Sequence, residues 1–261
     1  MKDNNKFWLA LAAFLLIVIV IALLPSKKPK KEIKPSRMAT RKIKGKIAIV
    51  LDDWGYNLNN VKILNEIRQP LTLAILPNLK LSNNISRDLH RSGYEVILHL
   101  PMQPKEKYNL EKKTILTSMN KEQIENIISK DLLDIVYAKG VSNHMGSMAT
   151  SDLATMEIVF RELKRRGLYF LDSFVITQSV CQELASKVGL RFAKRDVFLD
   201  NNNDPEYIRQ QLHKLAERAR LRGYAIGIGH DRKNTLEVLR QVLPELERRG
   251  YRFVFVSELA R

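Results

Sequence analysis

The chain has 261 residues, 45% of them hydrophobic, and 44 Lys and Arg against 28 Asp and Glu give it a formal net charge of +16. A single cysteine, Cys181, excludes an internal disulfide framework and a cysteine-based zinc site. Twelve of the cations lie in residues 1–46 against Asp3 and Glu32, so the remaining 215 residues carry only +6, and with no basic stripe interleaved with aromatics nucleic acid is not an expected partner.

Residues 7–24, FWLALAAFLLIVIVIALL, form an 18-residue run without a charge. A bilayer-spanning helix needs roughly 17–25 such residues. No A-x-A-like cleavage site follows, because the run passes straight into PSKKPKK. Residues 1–24 are therefore expected to be an uncleaved single-pass anchor, and residues 25–45 a basic linker suited to anionic lipid. Taken alone, the basic flank favours a cytoplasmic body under the positive-inside rule.

From residue 46 the chain shows a repeated punctuation. Basic residues and a glycine lead into a β-rich segment at HRSG-YEVIL, YAKG-VSN, KRRG-LYFLD, LRG-YAIGIG and ERRG-YRFVFV. Glycine takes the left-handed conformation that ends helices, and cations suit the last helical turn. Strands are expected at 46–52, 71–76, 94–99, 141–144, 168–172, 190–199, 224–230 and 251–256. Runs such as LTLAIL are continuously apolar, as in parallel strands buried on both faces. The helices between them carry apolar stripes, as at Ile124, Ile127, Ile128 and Leu132, and Asn120 with Gln123 and Asn234 with Glu237 have the spacing of capping boxes. Alternating β and α elements predict one α/β domain over 46–261, an irregular TIM-like barrel of about seven strands. Neither G-x-G-x-x-G nor a P-loop occurs, which removes the usual nucleotide reading of an open sheet.

In such barrels the site forms at the C-terminal strand ends. Asp52 and Asp53 close the first strand, His99 the third, His144 the fourth, Asp172 the fifth, Asp200 the sixth and His230 the seventh, with Arg195 and Asp196 inside the sixth. Three of the five histidines thus fall on one rim, while His90 and His213 fall on helices. Two carboxylates and three imidazoles converging there suit a His/Asp metal site with acid–base partners.

In order, the segments AIVLDDWGYN, ILHLPMQP, VSNHMGSMAT, LYFLDSF, RDVFLDN and IGIGH resemble the divergent polysaccharide deacetylases, relatives of the NodB-type deacetylases. The resemblance covers residues 46–261. It implies a hydrolase that uses a divalent metal, expected to be Zn2+, to remove N-acetyl groups from a cell-envelope glycan. It also implies a periplasmic body, since long domains translocate regardless of flank charge. Carried over residue by residue, Asp52 becomes the base, Asp53 a metal ligand and His230 the general acid. The superfamily usually draws both histidine ligands from one H-x-x-x-H turn, whereas Gln103 stands four residues after His99 and Met148 four after His144. The pair is therefore expected to come from two strands, His99 and His144. Asp172, Arg195, Asp196 and Asp200 are expected to orient these groups or meet substrate. The rival reading is a catalytically silent barrel that binds envelope glycan or an envelope protein.

Overall fold

Nine strands, every neighbouring pair parallel, run through residues 43–261, the part of the chain that this computed structural model describes. They are β1 (Gly45–Trp54), β2 (Thr72–Ile75), β3 (Glu95–Met102), β4 (Gly140–Met145), β5 (Tyr169–Asp172), β6 (Phe192–Lys194), β7 (Val197–Phe198), β8 (Tyr224–His230) and β9 (Tyr251–Phe253). Between them lie α1 (Val61–Leu64), α2 (Ser82–Arg91), α3 (Lys121–Asp134), α4 (Leu153–Arg165), α5 (Cys181–Val188), α6 (Pro205–Arg222) and α7 (Lys233–Arg248). The expected anchor and most of the basic linker lie outside the described residues, and no described helix is long and apolar enough to cross a membrane.

The strand order is β6-β5-β4-β3-β2-β1-β8-β7, with β9 set against the start of β1. The expected strand over 190–199 is two strands. At its middle, Arg195 N–H donates to Asp172 O (3.0 Å) on the β5 side, and Asp196 N–H donates to Ile226 O (2.8 Å) on the β8 side. The chain thus steps from one edge of the sheet to the other, and no ladder joins β6 to β7. The TIM-like expectation is corrected to this extent: the parallel β/α curl is present but the sheet stays open, because one short segment has to serve both edges.

Side chains alternate between two layers, as strand geometry requires. On β1, Ile47, Ile49 and Leu51 face the helices, while Ala48 and Val50 face the barrel interior with Ile97, Leu171, Ile226 and Ile228. Val256, Leu259 and Ala260 pack against that same interior group. Continuing the alternation, Asp52, His99, Ser142, His144 and His230 all fall on interior positions at the C-terminal strand ends.

The capping box at Asn120 forms as expected, with Gln123 N donating to Asn120 Oδ1 and Asn120 N to Gln123 Oε1, both at 2.9 Å. The one expected at Asn234 does not. Helix α7 is capped at Arg232, two residues earlier, and Asn234 Nδ2 instead donates to Asn203 O (2.9 Å).

Inside α3, Asp131 is fully buried, and its Oδ2 has no partner while Oδ1 accepts from Asn78 Nδ2 at 2.7 Å. Burial pushes its carboxyl up to about 6, against the pull of Asn78 and Lys113. An acid with a raised folded pKa stabilises the fold only while protonated, so stability falls as pH rises from about 4 to 6. A shift of this size corresponds to about 3 kcal/mol. Asp131→Asn is therefore expected to be more stable at pH 7 by about 1–2 kcal/mol, once the amide's own burial is discounted. Urea midpoints at pH 4 and pH 7 check this, and identical pH dependence in both proteins would refute it.

Candidate metal centre

Consecutive strand residues point to opposite faces, so Asp52 and Asp53 could not both face the interior of a regular strand. The backbone resolves this locally. Asp53 adopts φ +67°, the register of β1 against β2 slips between Leu51 and Trp54, and both carboxylates reach His99. Aspartate tolerates the left-handed conformation better than most residues, and such strain held in place by its surroundings is typical of working sites.

Asp53 Oδ1 lies 3.3 Å from His99 Nε2 and 3.1 Å from His144 Nδ1. His144 reaches this position because β3 and β4 run parallel, pairing His99 with Ser142 and placing His144 two residues further along. Ser142 Oγ is 2.8 Å from His99 Nδ1, which leaves His99 Nε2 facing Asp53. Burial holds the His99 imidazole down at about 4 despite the adjacent Asp53 charge, so it is neutral and ligand-ready at neutral pH. Burial opposes ionisation of Asp53, but the His144 and His99 imidazoles outweigh it and hold the carboxyl far below the usual range.

These three residues form the one group among the described residues with donor atoms close enough to share an ion, all within 4.8 Å of one another. Asp53 Oδ1 is buried and lacks a hydrogen bond despite its two close nitrogens. Donors about 2.1 Å from a shared ion at tetrahedral angles would stand about 3.4 Å apart. The observed spacings and the orphaned oxygen therefore fit a divalent cation with an oxygen–nitrogen donor set.

Two further groups flank the trio. Asp52 is buried, its Oδ2 is 3.7 Å from His99 Nε2, and its Oδ1 has no partner. Burial and then the charges of Asp53 and Asp200 push its carboxyl well above the usual range, against the pull of Arg195. His230, paired in register with Asp52, places Nε2 3.9 Å from Asp53 Oδ2. Its Nδ1 donates to Asp200 Oδ1 (2.9 Å), and its backbone N–H donates to Asp200 Oδ2 (2.8 Å). Thr235 Oγ donates to the same Oδ2 at 2.7 Å, so the fully buried Asp200 fixes the orientation of the His230 ring.

The other expected residues divide. Arg195 stacks over Phe198 and donates to Ser173 O (2.6 Å) and Phe174 O (2.8 Å), bracing the β5 loop beside the centre. Asp172 is on the outward parity of β5 and is spent on its own loop, accepting from Ser179 Oγ and Phe174 N at 2.7 Å each. Asp196 is held instead by Arg222 (2.6 Å) and by the Ile226 N–H (2.8 Å) at the open edge of the sheet.

Sequence reasoning missed Ser142, although its spacing of two from His144 put both on one face. It also missed Asn60, whose Nδ2 donates to Asp231 Oδ1 (2.8 Å) and so ties the loop after β1 to the residue following His230. Outer partners of ligating histidines typically set metal affinity by about 10–100-fold. Ser142→Ala is expected to weaken divalent-ion binding by that range, as measured by calorimetry, and unchanged affinity would refute the role.

The family model for divergent polysaccharide deacetylases matches residues 49–260. Over 202 residues the chain is 39% identical to the uncharacterized protein YibQ of Escherichia coli K12, a match covering 77% of this chain and 63% of that protein. Among solved structures, the uncharacterized protein ATU2773 of Agrobacterium tumefaciens C58 superposes with a TM-score of 0.77 at 25% identity, covering 83% of this chain and 89% of that one. The peptidoglycan N-acetylglucosamine deacetylase Bc1960 shares the fold, with a TM-score of 0.52 at 14% identity over 84% of this chain and 88% of that one. A parallel β/α curl, an Asp-Asp pair at its first strand end and a match over nearly the whole described unit agree, and the chain belongs to the divergent polysaccharide deacetylase family.

Proposed function

We propose that the protein is a membrane-anchored, periplasmic hydrolase that removes N-acetyl groups from a cell-envelope glycan, using a divalent metal, Zn2+ by choice of donors. The observation that carries this reading is the convergence of Asp53, His99 and His144 around an orphaned carboxylate oxygen, with a second carboxylate and a third histidine beside them.

Asp53, His99 and His144 would hold the ion. When bound, it supplies Lewis acidity, which polarises an amide carbonyl and lowers the pKa of water toward about 7. Asp52 is placed to accept a proton from water attacking the acetyl carbon. Its raised pKa reflects burial beside other carboxylates, and a dication held by the trio would offset that repulsion and favour the ionised form a base requires. His230 presents Nε2 to the same space, and Asp200 takes up the opposite ring nitrogen. A proton carried on Nε2 passes to the leaving amine as the C–N bond breaks, so that acetate and a free amino sugar result.

The full chain, loaded with Zn2+, is expected to release acetate from chitooligosaccharides or peptidoglycan fragments. Binding of one ion without acetate from any of these would argue for the second reading, a silent glycan- or protein-binding barrel. That reading is favoured by the drawing of both histidines from separate strands instead of one helical turn. Glycan binding that survives Asp52→Asn and His230→Ala would support it.

A further inference from the structure

The basic–glycine junctions of the sequence are spread over the whole chain, yet the fold collects them. All strands are parallel, so their starts share the end of the barrel opposite the metal centre, and the helices end there too. Contacts along that end make the gathering explicit. Lys44 N–H donates to Gly250 O and Lys46 N–H to Gly223 O, both at 2.9 Å, which brings the RLRG and ERRG junctions beside the start of β1. Lys139, His90 and Arg191 line one recess of about 380 Å3 on this end, and Arg222 and Arg261 line another of about 290 Å3.

Many of these cations serve their own helix ends. Arg165 and Arg166 pair with Glu162, Arg220 with Glu217, Arg222 with Asp196 and Arg249 with Glu245. Lys44, Lys139, Arg191, Arg252 and Arg261 do not fit that explanation. They stand on strand starts and connecting loops, all are exposed, and none forms a salt bridge among the described residues. Glu247 and Glu258 on the same end are engaged by Gln69 Nε2 and the Phe255 N–H. Two large apolar side chains stand exposed among the cations, Leu221 at 67% between Arg220 and Arg222, and Ile43 at 51% beside Lys44. The described chain also enters the barrel on this face, directly after a segment whose sequence is itself strongly basic.

We propose that this face is a docking surface for an anionic phospholipid bilayer, with Leu221 and Ile43 entering the headgroup layer and these cations, none in a salt bridge among the described residues, pairing with lipid phosphates. The proposal rests on the reading of residues 7–24 as a membrane anchor. Docked this way, the barrel holds Asp53, His99 and His144 on the side away from the lipid. The catalytic rim then faces outward to its glycan. Each cation close to an anionic surface strengthens partitioning by about fivefold, and the effect fades within a Debye length as salt rises.

The test uses the full chain with Cys181→Ala, reconstituted in vesicles of phosphatidylcholine alone or with phosphatidylglycerol, and carrying a fluorophore at Leu221→Cys or, as a rim control, at Tyr108→Cys, an exposed position in the loop that follows β3. Nitroxide-bearing lipid is expected to quench the Leu221 label in the anionic vesicles and much less in the neutral ones. Lys44→Glu/Arg252→Glu/Arg261→Glu and 0.5 M salt should abolish the difference, and the rim label should stay unquenched. Equal quenching in both lipids, quenching indifferent to the charge reversals, or no quenching of protein that stays with vesicles after high-salt washing would overturn docking. Release of the protein by that wash would instead remove the anchor reading on which it rests.

Discussion

Asp53→Asn is expected to cut divalent-ion affinity by at least about 100-fold, beyond what loss of an outer hydrogen-bond partner usually costs. Asparagine is the informative replacement because position 53 has φ +67°, which Asn tolerates as Asp does, whereas alanine would add backbone strain. Metal-free stability should change little. Loss of the attraction to His99 and His144 is offset by relief of the repulsion with Asp52. Stabilisation by bound metal should shrink instead, by about 2.7 kcal/mol for a 100-fold loss at saturating ion. Calorimetric titration and thermal melts with and without Zn2+ separate the two effects. Undiminished binding by Asp53→Asn would remove Asp53 from the ligand set, and with it the proposed centre.

The second large effect concerns His230. If it supplies the proton to the leaving amine, His230→Ala should lower kcat by about 10²–10⁴-fold, the usual contribution of a positioned acid. Metal affinity should stay within a few-fold, because His230 lies outside the trio and its Nε2 is 3.9 Å from Asp53 Oδ2. Asp200→Asn should lower kcat as well, by a different route. Asp200 accepts from Nδ1 and the backbone N–H of His230 and from Thr235, so an amide there either sets a donor against a donor or forces the His230 ring into its other tautomer. That conflict costs about 1–3 kcal/mol of stability. A parallel fall in metal content and kcat for His230→Ala would instead make it a ligand. Acetate release and metal analysis on the same preparations distinguish the outcomes.

Much of this arrangement was legible in the chain. Parallel strands followed from continuous apolar runs between helix stops, and all nine observed strands fall at or overlap the eight expected segments, with 190–199 supplying two. Asp53, His99 and His144 were named from strand ends and meet in space. The misreadings have particular causes. Asp172 was grouped with the rim because it ends a strand, but it sits on the outward parity with Phe170, and counting by twos from Leu171 would have shown it. Asn234 has the spacing of a cap, yet an acceptor on a distant loop competes for its side chain. The break at Arg195–Asp196 leaves no local signature, since it arises from hydrogen bonds to strands on opposite edges of the sheet.

By itself, the sequence determined the period-two alternation along the strands, the helix stops that orient every unit the same way, and the residue types at the strand ends. These are local properties, set by backbone geometry and side-chain chemistry within a few positions. Only the tertiary structure decided that two adjacent aspartates share one site, through a left-handed residue and a register slip held by neighbouring strands. It likewise decided that histidines 45 residues apart meet over one carboxylate oxygen. The collection of scattered Arg-Gly and Lys-Gly junctions on the opposite end has the same origin. Parallel packing converts a repeated local signal into a surface, and no stretch of chain read alone contains that information.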